Sequence, residues 1–143
     1  MKPTILSLFV IVLILGCETS DPIEPDVLKS TALMDGTFSG IFFRNHPFGI
    51  IETSNVTITF EGNEFSGESD RTKYPAICRG EFNIGEGEID FTNECFWTAE
   101  FDRTLILDDT FKATLRNDSL FLEKRIDEYT SDHYILARHL LMN

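Results

Sequence analysis

Asn55-Val56-Thr57-Ile58-Thr59-Phe60-Glu61, followed at once by Gly62-Asn63-Glu64, decides the fold. Val56, Ile58 and Phe60 occupy every second position, and polar residues fill the places between them. A period of two marks a strand with one face on a core and one in water. Gly62-Asn63 then turns the chain into a second short run, 64–68, as an antiparallel hairpin requires.

The same alternation extends in both directions. Upstream, Phe38, Gly40 and Phe42 alternate with Thr37, Ser39 and Ile41. Downstream, Cys78, Gly80, Phe82 and Ile84 form an inward set, and Gly85-Glu86-Gly87 turns the chain into 88–92 with Ile89 and Phe91 inward. Trp97, Ala99 and Phe101 continue the pattern. Further strands are expected over 104–107, 110–115, 119–125 and 133–138, with Asn117-Asp118 as a hairpin turn. The expected fold class is all-β: a small antiparallel up-and-down barrel of about eight strands, because closure removes exposed edges. Thirteen Phe residues, one of them Phe9, supply its core, since each buried ring removes roughly 150–250 Å² from water.

The N-terminus carries a separate message. Lys2 precedes the apolar run Ile5-Leu6-Ser7-Leu8-Phe9-Val10-Ile11-Val12-Leu13-Ile14-Leu15. It is too short for the ~20 residues of a membrane span and suits a signal peptide. It ends in Ile14-Leu15-Gly16-Cys17, which resembles the bacterial lipobox. The resemblance implies cleavage before Cys17, lipidation of its thiol and a membrane partner held through that anchor. The expected organisation is a signal peptide at 1–16, a lipidated Cys17 with a flexible acidic linker over 17–35, and a barrel over 36–143. A short helical turn is expected within 27–34. The expected location is the bacterial outer membrane, facing the periplasm or the cell surface; the acidic residues after Cys17 resemble export signals of surface lipoproteins in Bacteroidota.

The formal net charge is −12 for the whole chain and becomes one unit more negative when Lys2 is removed. Such a surface argues against nucleic acid, whose phosphates are met by Lys and Arg, and would attract a basic protein partner. With Cys17 acylated, Cys78 and Cys95 remain. If Gly85-Glu86 is the tip of its hairpin, Cys78 faces Asn93 and Cys95 lies one diagonal step away. Two thiols so placed in an oxidising compartment predict a disulfide.

Gly36-Thr37-Phe38 at the start and Arg138 at the end resemble the lipocalin arrangement, in which an Arg from the last strand covers a Gly-x-Trp on the first. Phe38 replaces the Trp here, and no helix is expected after Arg138. The chain is similar to small lipocalin-like bacterial lipoproteins of the Bacteroidota type. That resemblance implies a fold and an address more than an activity.

No catalytic constellation emerges, so an enzyme is not expected, and neither is a cofactor. His46, His133 and His139 are scattered, and Asp102, Asp108 and Asp109 lack the spacing of a calcium loop. Two loops do draw notice: 45–54, carrying Phe48, Ile50 and Ile51, and 66–75, carrying Arg71, Lys73 and Tyr74. At one barrel mouth they would set an apolar lid beside a basic patch, suited to a small apolar or amphiphilic ligand. The alternative expectation is a barrel filled by its own Phe rings, acting as an interaction module or inhibitor of a basic partner.

Overall fold

The computed structural model describes residues 34–139, except for the side chain of Ile51. The expected signal peptide, Cys17, the expected linker up to residue 33 and most of the expected helical turn lie outside the described residues. Eight strands close into one antiparallel barrel in sequence order, each hydrogen-bonded to the next and β1 to β8. They are β1 Gly36–His46, β2 Gly49–Glu61, β3 Glu64–Ser69, β4 Arg79–Gly85, β5 Glu88–Asn93, β6 Asp109–Arg116, β7 Ser119–Arg125 and β8 Ser131–Arg138.

The opening stretch behaves as its alternation dictates. Val56, Ile58 and Phe60 are buried in β2, Glu61 pairs with Glu64 across the Gly62-Asn63 turn, and Gly62 takes a positive φ of 63°. The inward positions of all eight strands meet in one core that reaches back to Met34.

Several expectations need correction. The hairpin of β4 and β5 pairs Gly80 with Asn93, Phe82 with Phe91 and Ile84 with Ile89. Its tip is therefore Glu86-Gly87, with Gly87 at φ 74°, and not Gly85-Glu86. The shift carries Cys78 and Cys95 opposite one another with no bulge. The disulfide forms, with a Cα–Cα distance of 6.4 Å.

The expected strands through Trp97, Ala99 and Phe101 and over 104–107 are absent. Residues 94–108 instead form a long connection with a 3₁₀ turn at Arg103–Leu105 and one parallel bridge between Ile106 and Ala76. The physical reason is local. Asp102 Oδ1 accepts hydrogen bonds from the Thr104 amide (3.0 Å) and the Thr104 hydroxyl (2.7 Å). Such side-chain bonds satisfy the backbone without a partner strand. Phe101 is consequently outside the lumen, tilted against Trp97 with ring centroids 5.7 Å apart.

The two loops also differ from expectation. Most of 45–54 is strand: β1 and β2 run on to a tip at Pro47-Phe48, with His46 paired to Gly49. Likewise Ser66–Ser69 belongs to β3, which leaves 70–78 as the connection.

Candidate functional site at the open end

The up-and-down winding sorts the connections by length. Tight turns at 62–63, 86–87 and 117–118 gather at the end where β1 starts and β8 finishes. The longer connections 70–78, 94–108 and 126–130, with the β1–β2 tip, gather at the other end.

The closed end carries the signature residues. Phe38 and Arg138 are cross-strand partners, and the guanidinium lies 4.6 Å from the Phe38 ring centroid. Arg138 also bonds the Asp35 carbonyl and sits 3.6 Å from an Asp118 carboxylate oxygen. Gly36 has φ 127°, and a Cβ there would stand 3.2 Å from Arg138 Nη1. The position thus calls for glycine on both counts.

Between the ends the lumen is occupied by aromatic rings. Phe38, Phe42, Phe60, Phe82, Phe91, Phe111 and Tyr134 are all exposed by 2% or less. They touch in an unbroken path. Phe38 meets Phe60 at 5.7 Å, Phe60 meets Phe82 at 5.0 Å, and Phe82 leads through Phe91 and Phe111 to Tyr134. Tyr134 meets Phe42 at 4.9 Å, and Phe42 meets Tyr74 at 5.2 Å, already at the open end. An eight-stranded barrel can either be filled by its own side chains or hold one small ligand, and here the core side chains occupy it.

A charged plug closes the open end. Arg44 of β1 and Asp132 of β8 are Cα partners with inward side chains, 6% and 2% exposed. Arg44 donates from Nε to Asp132 Oδ1 (2.6 Å) and from Nη2 to Oδ2 (2.7 Å). Its Nη1 donates to Asp102 Oδ2 (3.1 Å) and Thr104 Oγ1 (3.0 Å), which ties the long 94–108 connection across the mouth. Burial alone would lower the Arg44 pKa. The hydrogen bond and charge of Asp132, with help from Asp102, outweigh it and raise the pKa above its ordinary value. Burial likewise favours the acid form of Asp102, but its two Thr104 bonds and the Arg44 charge win, and its pKa is lowered. Desolvation, with the Asp132 charge adding, pushes the Tyr134 phenol well up.

All of the loop residues singled out from sequence lie at this end, yet they are not one site. Tyr74 packs into the mouth against Phe42, and its hydroxyl reaches the Glu52 carbonyl at 3.4 Å. Arg71 pairs with Glu52 at 3.2 Å and lies over the Tyr74 ring. Lys73, at φ 62°, donates to the Thr98 hydroxyl and sits 5.4 Å from the Phe101 ring centroid. These cations hold loops together. Phe48 and Ile50 stand out in solvent, 96% and 54% exposed, and do not cover the mouth as a lid. The Ile51 side chain lies outside the described residues.

Sequence reasoning missed Arg44, Asp132 and Phe96. Phe96 follows Cys95 directly and is fully exposed, so the disulfide holds its backbone while the ring faces water. An open groove of about 650 Å³ runs beside it, lined by Trp97, Arg103, Ile106, Lys124 and Arg125 among others. The three His residues do not converge: His133 stacks on Phe43 at 4.9 Å and pairs with Ser131, both on the barrel wall. Among the described residues no group of three His, Cys, Asp or Glu could hold a metal ion.

Comparison with family models, with curated proteins and with solved structures finds no match for this chain.

Proposed function

We propose that this chain is a lipid-anchored envelope protein whose barrel is a filled, rigid scaffold that presents its open end to a protein partner. The observation that carries the reading is the combination of an occupied lumen with two projecting rings, Phe48 and Phe96, at the same end. Aromatic residues are enriched where protein interfaces form, so two such rings at one end are what a partner-binding end would carry. The acidic balance of the chain favours a basic partner, which its field would attract from a distance.

The anchor at Cys17, with an outer-membrane address, belongs to the same proposal and rests on the resemblance of Ile14–Cys17 to a lipobox. Kinship with the lipocalin-like lipoproteins is also proposed. It is supported by the Phe38–Arg138 contact across the β1–β8 seam. Binding of an apolar ligand inside the barrel is the less favoured reading, since eight buried aromatic side chains, Phe65 among them, already hold that space.

Site-specific photo-crosslinking on intact cells tests the proposal. A photoreactive residue at position 48 or 96 should give the same discrete adduct, absent when the probe sits at Thr92 on the barrel wall. The adduct from position 48 should be lost in Phe96→Ser. No adduct, or equal labelling from all three positions, contradicts the reading. Loss of membrane association in Cys17→Ser checks the anchor independently.

A further inference from the structure

The barrel wall is electrically lopsided in a way the net charge conceals. Outward positions alternate along each strand. In β1 over 37–45, β2 over 53–59 and β8 over 131–137, every outward position is free of Asp, Glu, Lys and Arg. The opposite wall, β3 to β5, carries Glu64, Glu68, Glu81, Glu88 and Asp90 outward, with Arg79 as its one strand cation. In a chain with 24 acidic residues, three adjacent strands with no outward charge form a distinct surface.

The apolar part of that surface lies toward its β8 edge and continues onto β7, whose outward Glu123 pairs with His133. Ile41 pairs with Ile135, and Ile135 pairs with Phe121 of β7. The three side chains therefore form one lateral row across β1, β8 and β7, exposed by 39%, 41% and 39%. Hydroxyls flank the row on its β1–β2 side. Thr37 bonds Thr59 and Ser39 bonds Thr57, each pair at 2.9 Å.

We infer that this neutral wall is the contact through which two copies of the chain associate, face to face about a two-fold axis. A two-fold contact sets the same patch against itself. This patch suits that requirement, because apolar side chains pack on their like and a hydroxyl is both donor and acceptor. A wall without carboxylates offers a basic protein nothing to pair with. Two molecules of this charge repel each other, and contact through the neutral wall turns those carboxylates away from the partner copy.

Size sets the strength. Strands lie about 4.8 Å apart and advance about 3.4 Å per residue, so the patch is roughly 20 Å square. A pair would bury about 800–1,000 Å², the range of weak, reversible contacts. The dimer is accordingly weak, with most of its stability in the Ile41–Ile135–Phe121 row.

Sedimentation equilibrium on the chain from Glu18 onward, which keeps every described residue, tests this from about 10 µM to about 1 mM, the span in which a weak dimer populates. A monomer–dimer equilibrium is expected, and it should tighten as salt rises, because screening relieves like-charge repulsion. Ile135→Glu and Ile41→Glu should each weaken it by at least about tenfold, the effect expected at the centre of an interface. Both sites are on the outer face, so melting temperatures should stay near the parent value. Phe48→Ser and Phe96→Ser should leave the equilibrium unchanged, which separates this contact from the open-end partner site. A monomer throughout, a dimer indifferent to both wall substitutions, or a dimer that loosens with salt overturns the inference. So does a monomer that binds neutral phosphatidylcholine vesicles through Ile135, since the wall would then face a membrane.

Discussion

Replacing Asp132 with Ala removes the carboxylate that holds both the Nε and Nη2 edge of Arg44, at 2.6 and 2.7 Å. Arg44 is only 6% exposed, so water cannot take over those bonds without opening the mouth. Breaking a buried ion pair from one side costs about 3–5 kcal/mol, because the surviving charge stays desolvated. Asp102 and Thr104 still hold Nη1, which places the expected loss near the lower bound, about 3 kcal/mol. For a domain of this size that corresponds to a fall in Tm of about 12 °C or more.

Two companion variants separate an unpaired charge from simple damage. Arg44→Met with Asp132→Leu removes both charges and fills similar volume, so it should lie within about 1 kcal/mol of the parent. Asp102→Ala breaks an ion pair whose carboxylate is 52% exposed, and exposed pairs contribute only about 0–1 kcal/mol. Urea unfolding followed by far-ultraviolet circular dichroism reads the barrel. Fluorescence of Trp97, the one tryptophan, reads the connection that Arg44 ties across the mouth. If Asp132→Ala costs less than about 1 kcal/mol, or the double variant is as unstable as the single, the plug is not the buried, interdependent unit described.

Three further outcomes are expected from the same geometry. Gly40→Ala would set a Cβ 2.0 Å from the Ile135 carbonyl oxygen; forcing β1 and β8 apart should cost about 1–3 kcal/mol or more in urea melts. Reduction of Cys78–Cys95, whose separation is 17 residues, should cost about 3 kcal/mol on the loop-closure account and raise protease cleavage within 94–108 first. The folded pKa of Asp102 lies below its ordinary 3.8, so its contribution is complete above that value and is lost as pH falls through the folded pKa. The stability gap between the parent and Asp102→Asn should therefore be constant near neutrality and close below about pH 4.

The strands were legible because one face of each is buried and the other wet. Val56-Thr57-Ile58-Thr59-Phe60 cannot hide its period, and most strand limits follow within a residue or two. Hairpin register was less legible. Gly85-Glu86-Gly87 offers two possible tips, and only the positive φ at Gly87 selects between them. The 94–108 connection was misread because Trp97, Ala99 and Phe101 alternate by accident, while Asp102 and Thr104 satisfy their own backbone locally. Arg44 and Asp132 stand in the inward phase of their strands, the phase of Phe42 and Tyr134. A charged residue in that phase signals a buried partner, but finding it requires the β1–β8 register, which no local pattern contains. Phe96 drew no notice because the phase of Trp97 and Phe101 already leaves it among the outward positions, and no local pattern tells how far its ring projects.

The occupied lumen is the claim on which the functional proposal depends, and native mass spectrometry of the chain purified from its own envelope in Cys17→Ser form tests it most directly. The account predicts a spectrum of apoprotein alone, whatever lipids are offered. A co-purified small molecule released only on unfolding would contradict it, because no such guest fits while Phe38, Phe60, Phe82, Phe91 and Phe111 stand where they do.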